Sequence, residues 1–233
     1  MRVRLRFTKL GKIRFTSHRD VARLWEHAVR RAGIPVAHTE GFTRRPKLSF
    51  GLALPTGSES LAEYVDIEFA REVEVDRLPA RLSEALPQGL DVEAAVEIPR
   101  GVESLQQVVQ SCSWSILVES ITPAVLGAAV EQVLTAAELV VTRERKGKRV
   151  CDDIRPQIID LEVGEVADEG TGLLAELGTQ PRSLRPTELL GVFTPMLRAA
   201  RTRREGQWTI IDGARQDPLA PGATSKHAEV RAS

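Results

Sequence analysis

The apolar residues of this chain switch period repeatedly, from two to between three and four and back, which restricts it to a fold in which strands and helices take turns. Val3, Leu5 and Phe7 alternate with Arg2, Arg4 and Arg6, the pattern of a strand buried on one face. Its other face is then arginine. After a turn at Lys9–Lys12 that leads to Ile13-Arg14-Phe15, Thr16 or Ser17 is placed to cap a helix that carries Asp20 in its first turn. Val21, Leu24, Trp25, Ala28, Val29 and Ala32 form one stripe along that helix. Gly33 ends it and Pro35 prevents its resumption. A short strand near Pro35–His38 and a polar loop over 40–47 follow. Strands near 48–50 and 64–69, a helix over 76–86 and a strand over 90–98 complete the order strand, helix, strand, strand, helix, strand. That is the ferredoxin-like order.

The same order recurs after a linker at 99–105. A strand over 112–118 leads to a helix opened by Thr122 and Pro123, with proline where its missing N–H costs nothing. Strands near 139–145, 158–166 and 173–177, a helix over 186–197 and a strand near 208–211 follow. The expectation is an α+β protein of two tandem ferredoxin-like (βαββαβ) modules. The first spans 1–98 and carries the basic face, 99–105 is the linker and the second spans 106–213. Residues 214–233, with Pro218, Pro221 and Gly222 and no apolar period, read as a disordered tail.

Composition narrows the function. No run of about 18 apolar residues exists, so a membrane-spanning helix is not expected, and the charged N-terminus lacks the apolar stretch of a secretory leader. Cys112 and Cys151 are the two cysteines, too few and too distant for a zinc knuckle or an iron–sulfur site, and ordinary as reduced thiols. A cytoplasmic location is expected. Zero net charge hides a segregation: residues 1–50 hold thirteen Lys/Arg against three Asp/Glu, +10, so the remainder sums to −10. A basic segment of this kind either faces an anionic partner or is neutralised by acids of its own fold.

No glycine-rich phosphate loop, H-E-x-x-H, G-x-S-x-G or cysteine cluster is present. The sequence calls for no cofactor and no metal; Asp152 and Asp153 are adjacent carboxylates without a third ligand in sequence. The stronger signal is basic. Arg14, Arg19 and Arg23 lie in and around the first helix, and Phe42, Arg44, Arg45 and Lys47 lie in a loop opened by Gly41. Guanidinium forks capture phosphates and an aromatic ring stacks on a base, which is how unpaired RNA is commonly held. The alternative is that Phe42 plugs the core and the arginines are solvated or paired. Lys148, in the basic run 143–149, and Arg155 extend the same candidate set. His18 and His38, with Tyr64 assisting, are the candidate acid/base residues should the chain be a metal-independent endoribonuclease, with Arg44 or Arg45 stabilising the phosphorane.

The blocks Arg14-Phe15-Thr16-Ser17-His18-Arg19-Asp20, Arg30-Arg31-Ala32-Gly33-Ile34-Pro35, Gly41 to Phe50, Leu54-Pro55-Thr56-Gly57 and Glu63 to Ile67 occur in this order. Together they resemble the radical-SAM-linked protein family, and Gly147-Lys148 with Asp153-Ile154-Arg155-Pro156 resembles its second-half block. Coverage reaches roughly residue 200. Arg19 stands where the family commonly has leucine, and Thr43 where it has asparagine. The resemblance implies a domain that occurs alone or behind a cobalamin-binding radical-SAM enzyme, and so a substrate-presenting accessory. Two distant cysteines cannot supply the three thiolates of such an enzyme's cluster, so radical chemistry would belong to a partner. The leading expectation is a non-catalytic RNA-binding accessory module acting on tRNA or rRNA, alongside a radical-SAM partner enzyme. The rivals are a protein-interaction subunit that docks an acidic enzyme, and the endoribonuclease.

Overall fold

The computed structural model describes residues 1–42, 44–99, 101–145 and 147–220. The architecture is α+β, with few helices and mostly antiparallel sheets. Two compact units divide the chain, one from Met1–Val109 with the C-terminal segment from Gly206, the other from Gln110–Glu205.

The first unit runs β1 (Arg2–Lys9), a 3-10 turn (Gly11–Phe15), α1 (His18–Arg31), β2 (Leu48–Phe50), β3 (Glu59–Glu68), α2 (Leu78–Ala85), β4 (Val92–Glu97) and α3 (Leu105–Val108). β1 lies antiparallel between β3 and β4, and β2 is antiparallel to β3. Ser17 caps α1, its hydroxyl accepting from the Asp20 N–H at 3.2 Å. The apolar stripe lands as its spacing requires: Val21, Trp25, Ala28 and Val29 are buried with Val3, Leu5, Phe7, Val65, Ile67, Leu78 and Leu82 in one core. Trp25 meets Phe7 edge-on, ring centroids 4.9 Å apart, a geometry the ring quadrupoles favour. The segment near Pro35–His38 makes only two isolated bridges, Val36 to Phe69 and His38 to Pro46. α3 begins at the end of the stretch read as a linker and buries Leu105 against Ala62 and Tyr64.

The second unit runs β5 (Ser111–Glu119), α4 (Pro123–Thr135), β6 (Val140–Arg145), β7 (Lys148–Asp153), β8 (Ile158–Ala167), β9 (Gly170–Gly178), α5 (Pro186–Leu190) and β10 (Ala199–Ile211), whose residues from Gly206 belong to the first unit. β9 is antiparallel to both β5 and β8, while β6 and β7 pair, among the described residues, with each other alone. Here the fold departs from the sequence reading at three places, the first being β7, a strand that none of the expected strands covers. The helix expected over 186–197 ends at Leu190, because Gly191 follows and Pro195 has no N–H to continue it. β10 begins at Ala199 rather than near Trp208. Its early residues include Arg201, Arg203 and Arg204, so no apolar alternation announces it. Arg204 is nonetheless buried, its guanidinium 4.9 Å from the Trp114 ring, so a cation fills the place an apolar residue would take.

β11 (Ala214–Gln216) pairs with the end of β10, so the first residues of the segment read as a disordered tail are ordered. Residues 221–233 of that segment lie outside the described residues. The arginine face of β1 follows the neutralised alternative. Arg4 is fully buried and bidentate to Asp66, at 2.7 and 3.0 Å, and Arg2 reaches the same carboxylate at 2.6 Å. Arg6 pairs with Glu93 and Asp217, each at 3.1 Å. Three of the cations counted toward the N-terminal excess are therefore neutralised inside the first unit.

Candidate functional site

The basic loop of the first unit is a pinned hairpin. The Thr39 N–H donates to the Arg45 carbonyl at 2.9 Å, the Lys47 N–H to Ala37 at 2.8 Å, and the Arg45 N–H to the Thr39 hydroxyl at 3.1 Å. Gly41, at φ +116°, turns the chain in a region that side-chain-bearing residues rarely adopt. The tip carries Phe42, fully exposed, so this ring does not plug the core. Arg44 and Arg45 are exposed, and among the described residues neither has an ion-pair partner. Lys47 pairs with Glu68 at 3.0 Å, both ends near half exposure. Thr43 lies outside the described residues.

β2 follows this hairpin directly and ties it to α1, because the His18 ring meets the Phe50 ring edge-on at 5.6 Å. His18, Arg19 and Arg23 are exposed in the first two turns of α1. Arg19 has no ion-pair partner among the described residues, while Arg23 pairs with Asp20 at 3.2 Å. In the preceding 3-10 turn, Arg14 is half-buried, pairs with Glu59 at 3.4 Å and stacks on Phe15 at 4.7 Å. Phe15 itself is 63% exposed. The sequence reading passed over it, although an Arg-Phe pair just outside the helix stripe was the available signal. Buried Lys9 holds this turn in place, donating to the carbonyls of Arg14 and Thr16 at 3.2 and 2.8 Å.

The candidate acid/base residues do not share one site. His18 and Tyr64 line a narrow cleft with Lys9, Phe50 and Glu63, and His38 is not in its lining. His38 is exposed at the base of the hairpin. Tyr64 is buried, and its hydroxyl donates to Asp217 Oδ2 at 2.9 Å. Burial first, and the Asp217 carboxylate second, push the Tyr64 pKa far above its ordinary value, so the phenol stays protonated and works as a hydrogen-bond donor.

In the second unit Lys148 is exposed at the start of β7. Arg155 is spent internally, donating to Ile158 and, at the C-terminal end of α4, to Leu134, at 3.0 and 2.8 Å. A guanidinium capping helix carbonyls is a structural arrangement. Asp152 pairs with Arg143 and Arg182. Among the described residues no group of three or more His, Cys, Asp or Glu is arranged to hold a metal ion. No helix there is long and apolar enough to cross a membrane.

Residues 2–186 match the model of a family described as an uncharacterized protein conserved in bacteria (DUF2344). No curated protein matches the sequence. Among solved structures, a chain of a crystal structure of a Cbf5-Nop10-Gar1 complex is similar at a TM-score of 0.49 and 10% identity, over 88% of this chain. The match covers 48% of that chain, so the present one spans about half its length.

Proposed function

The chain belongs to the DUF2344 family of bacterial proteins, and we propose that it is a non-catalytic accessory module that binds unpaired RNA through the hairpin tip and the first turns of α1. The observation that carries this reading is Phe42. The ring is fully exposed on a loop held by three hydrogen bonds, and flanked by Arg44 and Arg45 it offers a stacking platform beside phosphate ligands. Arg19 and Arg23, with Lys47, extend the cationic track, and the Phe15 ring with Arg14 is a second stacking surface in the same unit.

The finer fold assignment belongs to this reading too. The first unit has the element order βαββαβ and strand order β4-β1-β3-β2, and the second has β8-β9-β5-β10 with β6 and β7 inserted. Both orders support two ferredoxin-like modules. The sequence blocks that resemble the radical-SAM-linked family support a cytoplasmic partner enzyme of that class, with this module presenting tRNA or rRNA to it. Endoribonuclease chemistry is disfavoured, since Tyr64 is locked to Asp217 and His38 stands outside the His18 cleft.

The test is crosslinking and sequencing of RNA bound to the tagged protein in its own cells, with an Arg44→Ala/Arg45→Ala control. Enrichment of one RNA class that disappears in the control supports the assignment. Equal background from both proteins refutes it and favours a protein-docking subunit.

A further inference from the structure

Three donors of the first unit converge on one short segment of the chain. After β11, Asp217 Oδ2 accepts from Arg6 Nη1 at 3.1 Å and from the Tyr64 hydroxyl at 2.9 Å, and the Pro218 carbonyl accepts from Arg4 Nη1 at 3.2 Å. Leu219 packs against Ala62, Tyr64 and Leu105, and its N–H donates to Asp217 Oδ1 at 2.8 Å. Residues 217–219 thus form a strap across the arginine side of β1. Under it, Arg4 and Tyr64 are buried, whereas the Arg6 and Asp217 side chains remain 34% and 31% exposed. The carboxylate therefore sits at the mouth of the site, within reach of solvent, and the other two donors form its floor.

We infer that Asp217 stands in for an anionic ligand, and that Arg4, Arg6 and Tyr64 form a phosphate-binding cradle that the strap occupies in the ligand-free protein. Charge supports this. Arg2, Arg4 and Arg6 face Asp66, Glu93 and Asp217, which sums to zero; without Asp217 the remaining groups carry +1. Donor number supports it too. The strap needs two separate acceptors, a carboxylate and a peptide carbonyl, to satisfy three donors. A phosphate presents enough oxygens to accept from all three and carries more charge, and arginine forks with a neutral phenol O–H are suited to it. The strap is fastened by the Asp217 carboxylate, the Pro218 carbonyl, the buried Pro218 ring and Leu219, none of which belongs to a strand.

The cradle is separate from the hairpin tip, so each assignment stands or falls alone. The experiment titrates the full chain with inorganic phosphate and with pyrophosphate, read by phosphorus NMR linewidth and by the shift in thermal midpoint. Asp217→Ala removes the internal competitor. Because apparent affinity scales with the fraction of open molecules, it is expected to bind phosphate at least about tenfold more tightly than the wild type. Leu219→Asn, which leaves every donor in place and loosens the strap, is expected to shift affinity in the same direction. Adding Arg6→Gln to Asp217→Ala is expected to abolish the gain. Affinity no tighter in Asp217→Ala than in the wild type, or a gain that survives Arg6→Gln, would overturn the inference. Should Asp217→Ala fail to fold by circular dichroism, Leu219→Asn alone and combined with Arg6→Gln decides by the same two criteria.

Discussion

On the proposed assignment, replacing Arg44 and Arg45 together by alanine should change the salt dependence of RNA binding by an amount that follows from the number of exposed cations. The exposed cations of the track are Arg19, Arg23, Arg44, Arg45 and Lys47, of which Arg23 and Lys47 must first leave Asp20 and Glu68. Each phosphate neutralised on a single strand contributes about −0.7 to the slope of log K against log salt. Five contacts give about −3.5, and the double variant, with three, about −2.1. From 50 to 200 mM salt the wild type should lose roughly 130-fold in affinity and the variant roughly 18-fold. If the two paired cations do not engage, both slopes are shallower, but their difference stays near about 1.4. The assay is fluorescence anisotropy of a labelled single-stranded oligonucleotide across that salt range. The substitutions touch no buried group, so the fold should hold within about 0.5 kcal/mol, checked by urea unfolding. Unchanged slope and affinity would refute the assignment of the loop even if RNA binding itself persisted.

Four further outcomes follow from the same structure. Phe42→Ala should weaken binding to an unpaired oligonucleotide by about 1–3 kcal/mol with no loss of stability in urea, and equal binding by both proteins would remove the stacking role. Asp66→Ala should cost about 3–5 kcal/mol in urea unfolding, because it leaves the fully buried Arg4 without its counter-charge; a loss under about 1 kcal/mol would contradict that pairing. The Arg143 hydrogen bond first, and Arg182 with it, hold the Asp152 carboxyl below the usual carboxylate range. A pKa depressed on folding adds stability above the unfolded value near about 4, and this is lost as pH falls through the folded value. Hydrogen-exchange protection in β6 and β7, measured relative to the intrinsic rate at each pH, should therefore fall below about pH 4, and Asp152→Asn should remove that dependence. Finally, a Cβ on Gly170 would clash with the Val118 carbonyl oxygen, at φ +155°, so Gly170→Ala should lower stability by about 2–4 kcal/mol.

Most elements were legible wherever one apolar period ran uninterrupted. α1 is the clearest case: Thr16 or Ser17, the stripe from Val21 to Ala32 and Gly33 place its cap, buried face and end within a residue or two of those observed. α5 was read too long because the apolar residues past Leu190 imitate a helix face, while Gly191 and Pro195 decide otherwise. β10 was read too short because arginines occupy positions where an apolar alternation would have marked it. In the candidate site, the basic loop with Phe42, Arg44 and Arg45 is legible as composition, while the exposure of Phe42 is decided by the fold. Phe15 was missed because an aromatic next to a turn is usually core.

The sequence by itself determined the local order of the chain, because hydrophobic period, caps and breakers act over a few residues and are written in neighbouring side chains. It also placed an unusual concentration of cations in the first fifty residues. Which of those cations are available was decided only by tertiary structure. Arg4 and Arg44 look alike in sequence, yet Asp66 lies 62 residues from Arg4, and Pro218, which accepts its other bond, lies 214 away, whereas Arg44 meets no acid among the described residues. Charge pairing depends on distances of a few ångströms that chain folding sets, so a row of arginines becomes either a buried clasp or an open surface only when the strand finds its partners.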